Sequence, residues 1–197
     1  MNDIEGQTAV RLARQAVEAE VTGGAGGDVF LPSSFQEKRG VFVTLEKYPE
    51  MDLRGCIGYP EPIYPLGAAI MRAAEAACHD PRFPSLKKHE LTEIVVEVSI
   101  LTPPEEIKVK DRKQLPEIVR VGIDGLIMER GPFRGLLLPQ VPVEWKWDAT
   151  TFLEQTCIKA GLTPDRWLDP GCRVYRFQAE IFAEEAPKGR ISRKELK

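Results

Sequence analysis

The sequence predicts an α+β fold in two lobes, and three observations carry that prediction. Helical and strand-like periodicities mix along the chain without the regular βαβ alternation of a parallel sheet. The strand-like runs are short and joined by hairpin-length links. Two breaker clusters, Pro103-Pro104 and Asp169-Pro170-Gly171, bracket the segment 104–169. The expected organisation is a larger lobe from 1–103 and 170–197, with 104–169 as a smaller inserted lobe. Each lobe is expected to hold an antiparallel sheet with helices.

The elements follow in order. Residues 5–22 carry Val10, Ala13, Val17 and Val21 at spacings of 3, 4 and 4, the stripe of an amphipathic helix. Gly23 to Gly27 reads as a flexible connection. Gly40–Lys47 and Leu53–Gly58 read as strands joined through Tyr48-Pro49-Glu50-Met51-Asp52. Pro60, Pro62 and Pro65 exclude more strand, and Pro65 suits the first turn of a helix that runs from Leu66 to about Cys78. A short helix near Lys87–Leu91 precedes a strand over Glu93–Leu101, with Ile94, Val96, Val98 and Ile100 on one face and Glu97 and Ser99 on the other, which reads as a pocket lining or as a solvated sheet face. Beyond Pro103-Pro104, a helix is expected near 111–119, a strand pair at 121–130 and 135–139, and a helix over 148–160 with Asp148 as N-cap and Gly161 past its end. A short helix from Thr163-Pro164, a last strand over 173–184 and a polar tail from Lys188 complete the chain. The order hairpin, helix, short helix, strand occurs twice, at 41–102 and 121–184, without a residue-level repeat behind it.

At 197 residues the chain is long enough to bury about 70% of its unfolded surface, so folding requires neither metal nor disulfide. An apolar content of 43% and a charged content of 29% are those of an ordinary globular protein. A net charge of −3 argues against a chain-wide nucleic-acid footprint. No stretch has the length and apolarity of a membrane span. Cys56, Cys78, Cys157 and Cys172 form no Cys-x-x-Cys pair, and their dispersal without a signal peptide points to reduced thiols in a cytoplasm.

The most informative stretch is Leu53-Arg54-Gly55-Cys56-Ile57-Gly58. Two glycines weaken a strand interior, so they call for a bulge or the close approach of a backbone or ligand. Strict alternation places Arg54 and Cys56 on one face and Leu53 and Ile57 on the other. Cys56 then has two readings. Unpaired cysteine often packs as a small hydrophobe; a guanidinium beside the thiol would instead lower its pKa and make it reactive. His79 ends the helix that follows the Cys56 strand and is the candidate partner for a Cys/His dyad, or else simply complements the helix C-terminus. Asp80-Pro81-Arg82-Phe83-Pro84 reads as a turn with a local ion pair, or as charges presented to a ligand. His79, His89 and one thiol have no metal-site spacing, and no cofactor motif is present.

These residues resemble a known family. Leu-Arg-Gly-Cys-Ile-Gly at 53–58 is the hallmark of AMMECR-type domains. Asp80-Pro81-Arg82-Phe83-Pro84, Glu90-Leu91, Val98-Ser99-Ile100-Leu101-Thr102, Gly122-x-x-Gly125-Leu126, Leu137-Leu138-Pro139-Gln140-Val141, Phe152-Leu153 with Cys157-x-Lys159-Ala160-Gly161, and Tyr175-x-Phe177 follow in the family's order. The resemblance covers essentially the whole chain. It implies a larger lobe containing both termini, a smaller inserted lobe, and a cleft between them that the hexapeptide looks into. It implies no established activity, and it suggests a pathway shared with a dioxygenase-like protein and a radical-SAM enzyme. Two functional readings result. In one, Cys56 and Arg54 form a thiol-assisted site, with Leu53, Gly55, Ile57, Gly58, His79 and Arg82 around the ligand. In the other, the protein is a non-catalytic binding or accessory protein whose partner is a protein or a sizeable ligand.

Overall fold

The structure, a computed structural model, describes residues 1–24 and 30–194. Residues 25–27 of the glycine-rich connection and 195–197 of the tail lie outside the described residues. The chain divides into two compact units, one formed by Met1–Leu101 with the segment from Glu180 onward, the other by Thr102–Ala179.

The first unit is built on a five-stranded sheet in the order β2-β1-β3-β8-β9. Its strands are β1 (Val41–Lys47), β2 (Asp52–Tyr59), β3 (Ile94–Leu101), β8 (Ala179–Glu184) and β9 (Ile191–Lys194). β1 lies antiparallel to both β2 and β3, and β8 antiparallel to β9. Helices α1 (Asp3–Thr22) and α2 (Leu66–Ala77) supply the apolar layer. Ala9, Val10, Ala13 and Val17 of α1 meet Leu66, Ile70, Ala73 and Ala77 of α2 and the inward residues Val43, Leu45, Val96 and Val98 in one core. α1 opens with a capping box, in which Asn2 Oδ1 accepts from Glu5 N at 2.9 Å and Glu5 Oε2 accepts from Asn2 N at 3.0 Å. It closes on Gly23 at φ 69°. A buried ion pair ties α1 to the sheet. Arg14 Nε donates to Glu184 Oε1 at 2.9 Å and Arg14 Nη2 to the Ile94 carbonyl at 2.8 Å, while Glu184 Oε2 accepts from Val96 N at 3.0 Å.

The second unit holds a four-stranded sheet in the order β4-β7-β5-β6, antiparallel throughout. Its strands are β4 (Glu105–Glu106), β5 (Gly125–Arg130), β6 (Phe133–Leu137) and β7 (Arg173–Phe177). Helices α3 (Leu115–Ile118), α4 (Gln140–Glu144) and α5 (Ala149–Lys159) accompany it. Leu126, Met128, Phe152, Leu153, Cys157, Cys172 and Val174 form its core.

The fold is α+β, and the elements up to β3 stand close to where periodicity placed them. Three differences have physical reasons. The strand expected over 173–184 is two strands in different sheets, parted at Gln178; an apolar alternation that runs through a crossover does not reveal the change of sheet. The polar tail contributes β9, because backbone pairing with β8 needs no apolar side chains. The face of β3 opposite the helices is not solvated: Val95 and Ser99 are buried, and Glu97 is paired with Lys194 Nζ at 2.8 Å.

The twofold element order is real at the level of topology. In each unit the first strand of a hairpin is central, flanked by its hairpin partner and by the strand that follows the helices, giving β2-β1-β3 and β6-β5-β7. The likeness reaches individual residues, which the sequence reading missed. Gly55 lies opposite Leu45 and Gly135 opposite Met128, each two residues before the end of the central strand. A Cβ on Gly55 would stand 2.3 Å from the Ala77 carbonyl oxygen at the end of α2. A Cβ on Gly135 would stand 2.3 Å from Ala160 N, just past α5. Each glycine follows an arginine, Arg54 or Arg134.

Candidate functional site

The hexapeptide occupies β2, and its geometry is set by one irregularity. Lys47 pairs with Asp52 and Glu46 with Leu53, but Leu45 pairs with Gly55, so Arg54 is the extra residue of a β-bulge. A bulge breaks the strict alternation of side chains, and the expected facing of Arg54 and Cys56 does not form. The Arg54 guanidinium is instead held by Glu90 in the short helical turn Lys88–Thr92: Nε donates to Oε1 at 2.7 Å and Nη2 to Oε2 at 3.0 Å. This two-pronged bond holds the Glu90 carboxyl below its usual range. Glu90 also accepts from Lys87 N at 2.8 Å. The Arg54 side chain is only 7% exposed, so the pair is largely out of water.

The glycines have structural reasons. Gly55 lets β2 approach the end of α2, as described above. A Cβ on Gly58 would meet the Phe42 ring at 2.3 Å and the Val41 carbonyl at 2.4 Å.

Cys56 is half-buried and anchored through its backbone. Its N–H donates to Asp80 Oδ2 at 2.9 Å, and its carbonyl accepts from Arg82 Nη2 at 3.3 Å. Asp80 is the hub of the turn after α2. It accepts from Arg82 N, Nε and Nη2 at 3.0, 3.0 and 2.7 Å, and these bonds hold its carboxyl far below the usual range. The local ion pair read from Asp80-Pro81-Arg82 therefore also fastens the Cys56 strand, a role the sequence did not signal. The thiol itself accepts a hydrogen bond from Thr44 Oγ1 at 3.4 Å. Burial pushes the Cys56 thiol above its ordinary value; the Thr44 hydroxyl and the Arg82 charge pull it down without offsetting burial, and the Asp80 and Glu97 charges add to the rise.

His79 forms no dyad with Cys56. Its Nε2 lies 2.7 Å from Glu20 Oε1 on α1 and its Nδ1 3.1 Å from Ser85 Oγ. The other thiols are more deeply buried, and burial pushes Cys78 and Cys157 up to about 12.

Leu53 and Arg54 line a cavity of about 490 Å³ together with Lys47, Phe83, Lys87 and His89; Asp52 and Glu90 add its acidic groups, and Cys56 is not in its wall. Sequence reasoning missed Lys47, Phe83, Lys87 and Glu90 here. The Arg54–Glu90 bond spans 36 positions; Phe83 and Glu90 carried a signal only as parts of the stretches Asp80–Pro84 and Glu90-Leu91 that resemble the family. Among the described residues, no group of three or more His, Cys, Asp or Glu side chains is placed to hold a metal ion, and no helix is long and apolar enough to cross a membrane.

Comparison with known proteins decides the lineage: the AMMECR1 family model matches residues 10–182. The chain belongs to the AMMECR1 family. It is 54% identical to a protein of Thermococcus gammatolerans over all of this chain and 98% of that one. It is 56% identical to a protein of Methanothermobacter thermautotrophicus over 92% of this chain and 95% of that one. The crystal structure of the uncharacterized protein PH0010 from Pyrococcus horikoshii matches with a TM-score of 0.84 at 52% identity, covering 100% of this chain and 99% of that one. In this member of the family the arginine of Leu53–Gly58 is locked to a carboxylate.

Proposed function

We propose that this AMMECR1 protein is a non-catalytic binding protein whose site is the Leu53–Arg54 end of the hexapeptide and the cavity beside it. One observation carries the reading. The two groups that a thiol-assisted mechanism would need, Cys56 and Arg54, are engaged elsewhere: the guanidinium is spent on Glu90, the thiol accepts from the Thr44 hydroxyl and is raised by burial, and the nearby Asp80 carboxylate is taken up by Arg82 and the Cys56 N–H. A nucleophilic cysteine needs an adjacent base or a lowered pKa; the Asp80 carboxylate beside Cys56 is committed to Arg82, and burial raises the thiol. Arg54 acts as a positioning residue that joins β2 to the Lys88–Thr92 turn and shapes the cavity wall. The proposal rests on the first unit alone.

A fragment screen by amide NMR on the full chain tests it. Fragments that bind should move the amides of Leu53 and Phe83 and should bind Cys56→Ser as well as the wild type. Fragments that bind only when the thiol is present would overturn the reading.

A further inference from the structure

The walls of the cavity narrow the chemistry of its ligand, given the binding reading above. Lys47, Lys87 and His89 are exposed on its rim. Among the described residues neither lysine has an ion-pair partner, and Asp52, which stands opposite Lys47 in the ladder, forms none with it. The other acid, Glu90, is taken up by Arg54 and by the Lys87 backbone N–H. Arg54 gives Glu90 its Nε and Nη2 and leaves its Nη1 outside that bond. The formal charges of Lys47, Arg54 and Lys87 outweigh those of Asp52 and Glu90, and His89 adds to the excess when protonated. Apolar surface stands beside these cations: the Phe83 ring, Pro84 and Leu53, the last 40% exposed. A volume of about 490 Å³ is that of a small-molecule site rather than a peptide groove.

We propose that the cavity takes an anionic small molecule, with its carboxylate or phosphate between Lys47 and Lys87 and an apolar ring against Phe83 and Leu53. Lysine suits this role as a point charge that needs no fixed fork geometry. A buried Arg54 already held in place limits the ordering that binding requires.

The test is an amide NMR titration of the full chain with phenyl phosphate, and with benzyl alcohol as its neutral counterpart. Phenyl phosphate should move the amides of Leu53, Arg54, Phe83 and 85–90 and bind at least tenfold more tightly than benzyl alcohol. The double variant Lys47→Ala/Lys87→Ala alters only exposed side chains and should weaken phenyl phosphate by roughly tenfold, in line with charge-assisted bonds discounted for exposure. Unchanged phenyl phosphate binding in that variant overturns the inference. Equal binding of both probes at these amides overturns the anionic preference and leaves the binding reading standing. Failure of both probes to move these amides overturns the two together.

Discussion

Glu90→Ala strips the partner from a guanidinium that is almost out of water. The side chains of the pair are 7% and 14% exposed, and two hydrogen bonds of 2.7 and 3.0 Å join them. Breaking a buried pair by removing one partner costs about 3–5 kcal/mol, because the remaining charge stays buried and uncompensated. The residual exposure of Glu90 puts this case near the lower end, about 3 kcal/mol. For a chain of this length that is a fall in Tm of roughly 6–12 °C. Trp145, Trp147 and Trp167 all belong to the second unit, so indole fluorescence reports the wrong part of the molecule. Far-UV circular dichroism during urea unfolding, with hydrogen exchange on the α2 and β2 amides, reads the first unit. The paired replacement Arg54→Met/Glu90→Leu removes both charges and should recover most of the loss. A Glu90→Ala cost below about 1 kcal/mol would refute the assignment of Arg54 as a buried positioning residue, since that is the range of an exposed pair. The pH dependence has a definite sign. The folded Glu90 carboxyl lies below its unfolded value, so its contribution is complete above about pH 4.3 and is lost as pH falls through the folded pKa. Glu90→Ala should lack that part of the acid-induced loss.

Gly55→Ala should cost about 1–3 kcal/mol in the same unfolding assay, because the new Cβ meets the Ala77 backbone at 2.3 Å and a carbonyl cannot turn aside as a flexible side chain can. Gly135→Ala, measured by indole fluorescence, should cost a similar amount in the second unit. Asp80→Ala leaves the Cys56 N–H without its acceptor and should destabilise by about 1–3 kcal/mol, with faster hydrogen exchange at Cys56 as the specific sign. Glu184→Ala orphans Arg14 in the core and should cost about 3–5 kcal/mol by urea unfolding.

The fold was legible wherever periodicity and punctuation agree locally. The stripe Val10, Ala13, Val17, Val21, the proline run before Leu66 and the alternation of Ile94, Val96, Val98 and Ile100 each mark an element without knowledge of its neighbours. What stayed hidden depends on partners. The glycines called for a bulge or a close approach, but the place of the bulge at Arg54 is defined only relative to Leu45 and Glu46 of β1, so strict alternation sets Arg54 beside Cys56. Glu90, the partner of Arg54, lies 36 positions away; Glu90-Leu91 matches the family's pattern, but nothing local ties it to Arg54. The change of sheet at Gln178 and the pairing of β9 are long-range events of the same kind. The glycines were legible as a demand for close approach. At Gly58 the Phe42 ring and the Val41 carbonyl approach; at Gly55 it is helix backbone, and the matching contact at Gly135, with no neighbouring cysteine in sequence, marks Gly55 as serving helix-on-sheet packing.

The central claim, that Cys56 is a packed and unactivated thiol, is tested most directly by the pH dependence of its alkylation by iodoacetamide, read peptide by peptide in the mass spectrometer. Half-buried Cys56 should react before Cys78, Cys157 and Cys172, with a profile that rises above the unperturbed thiol value of about 8.5. A profile centred below about 7.5 would reveal an activated thiolate and contradict the account.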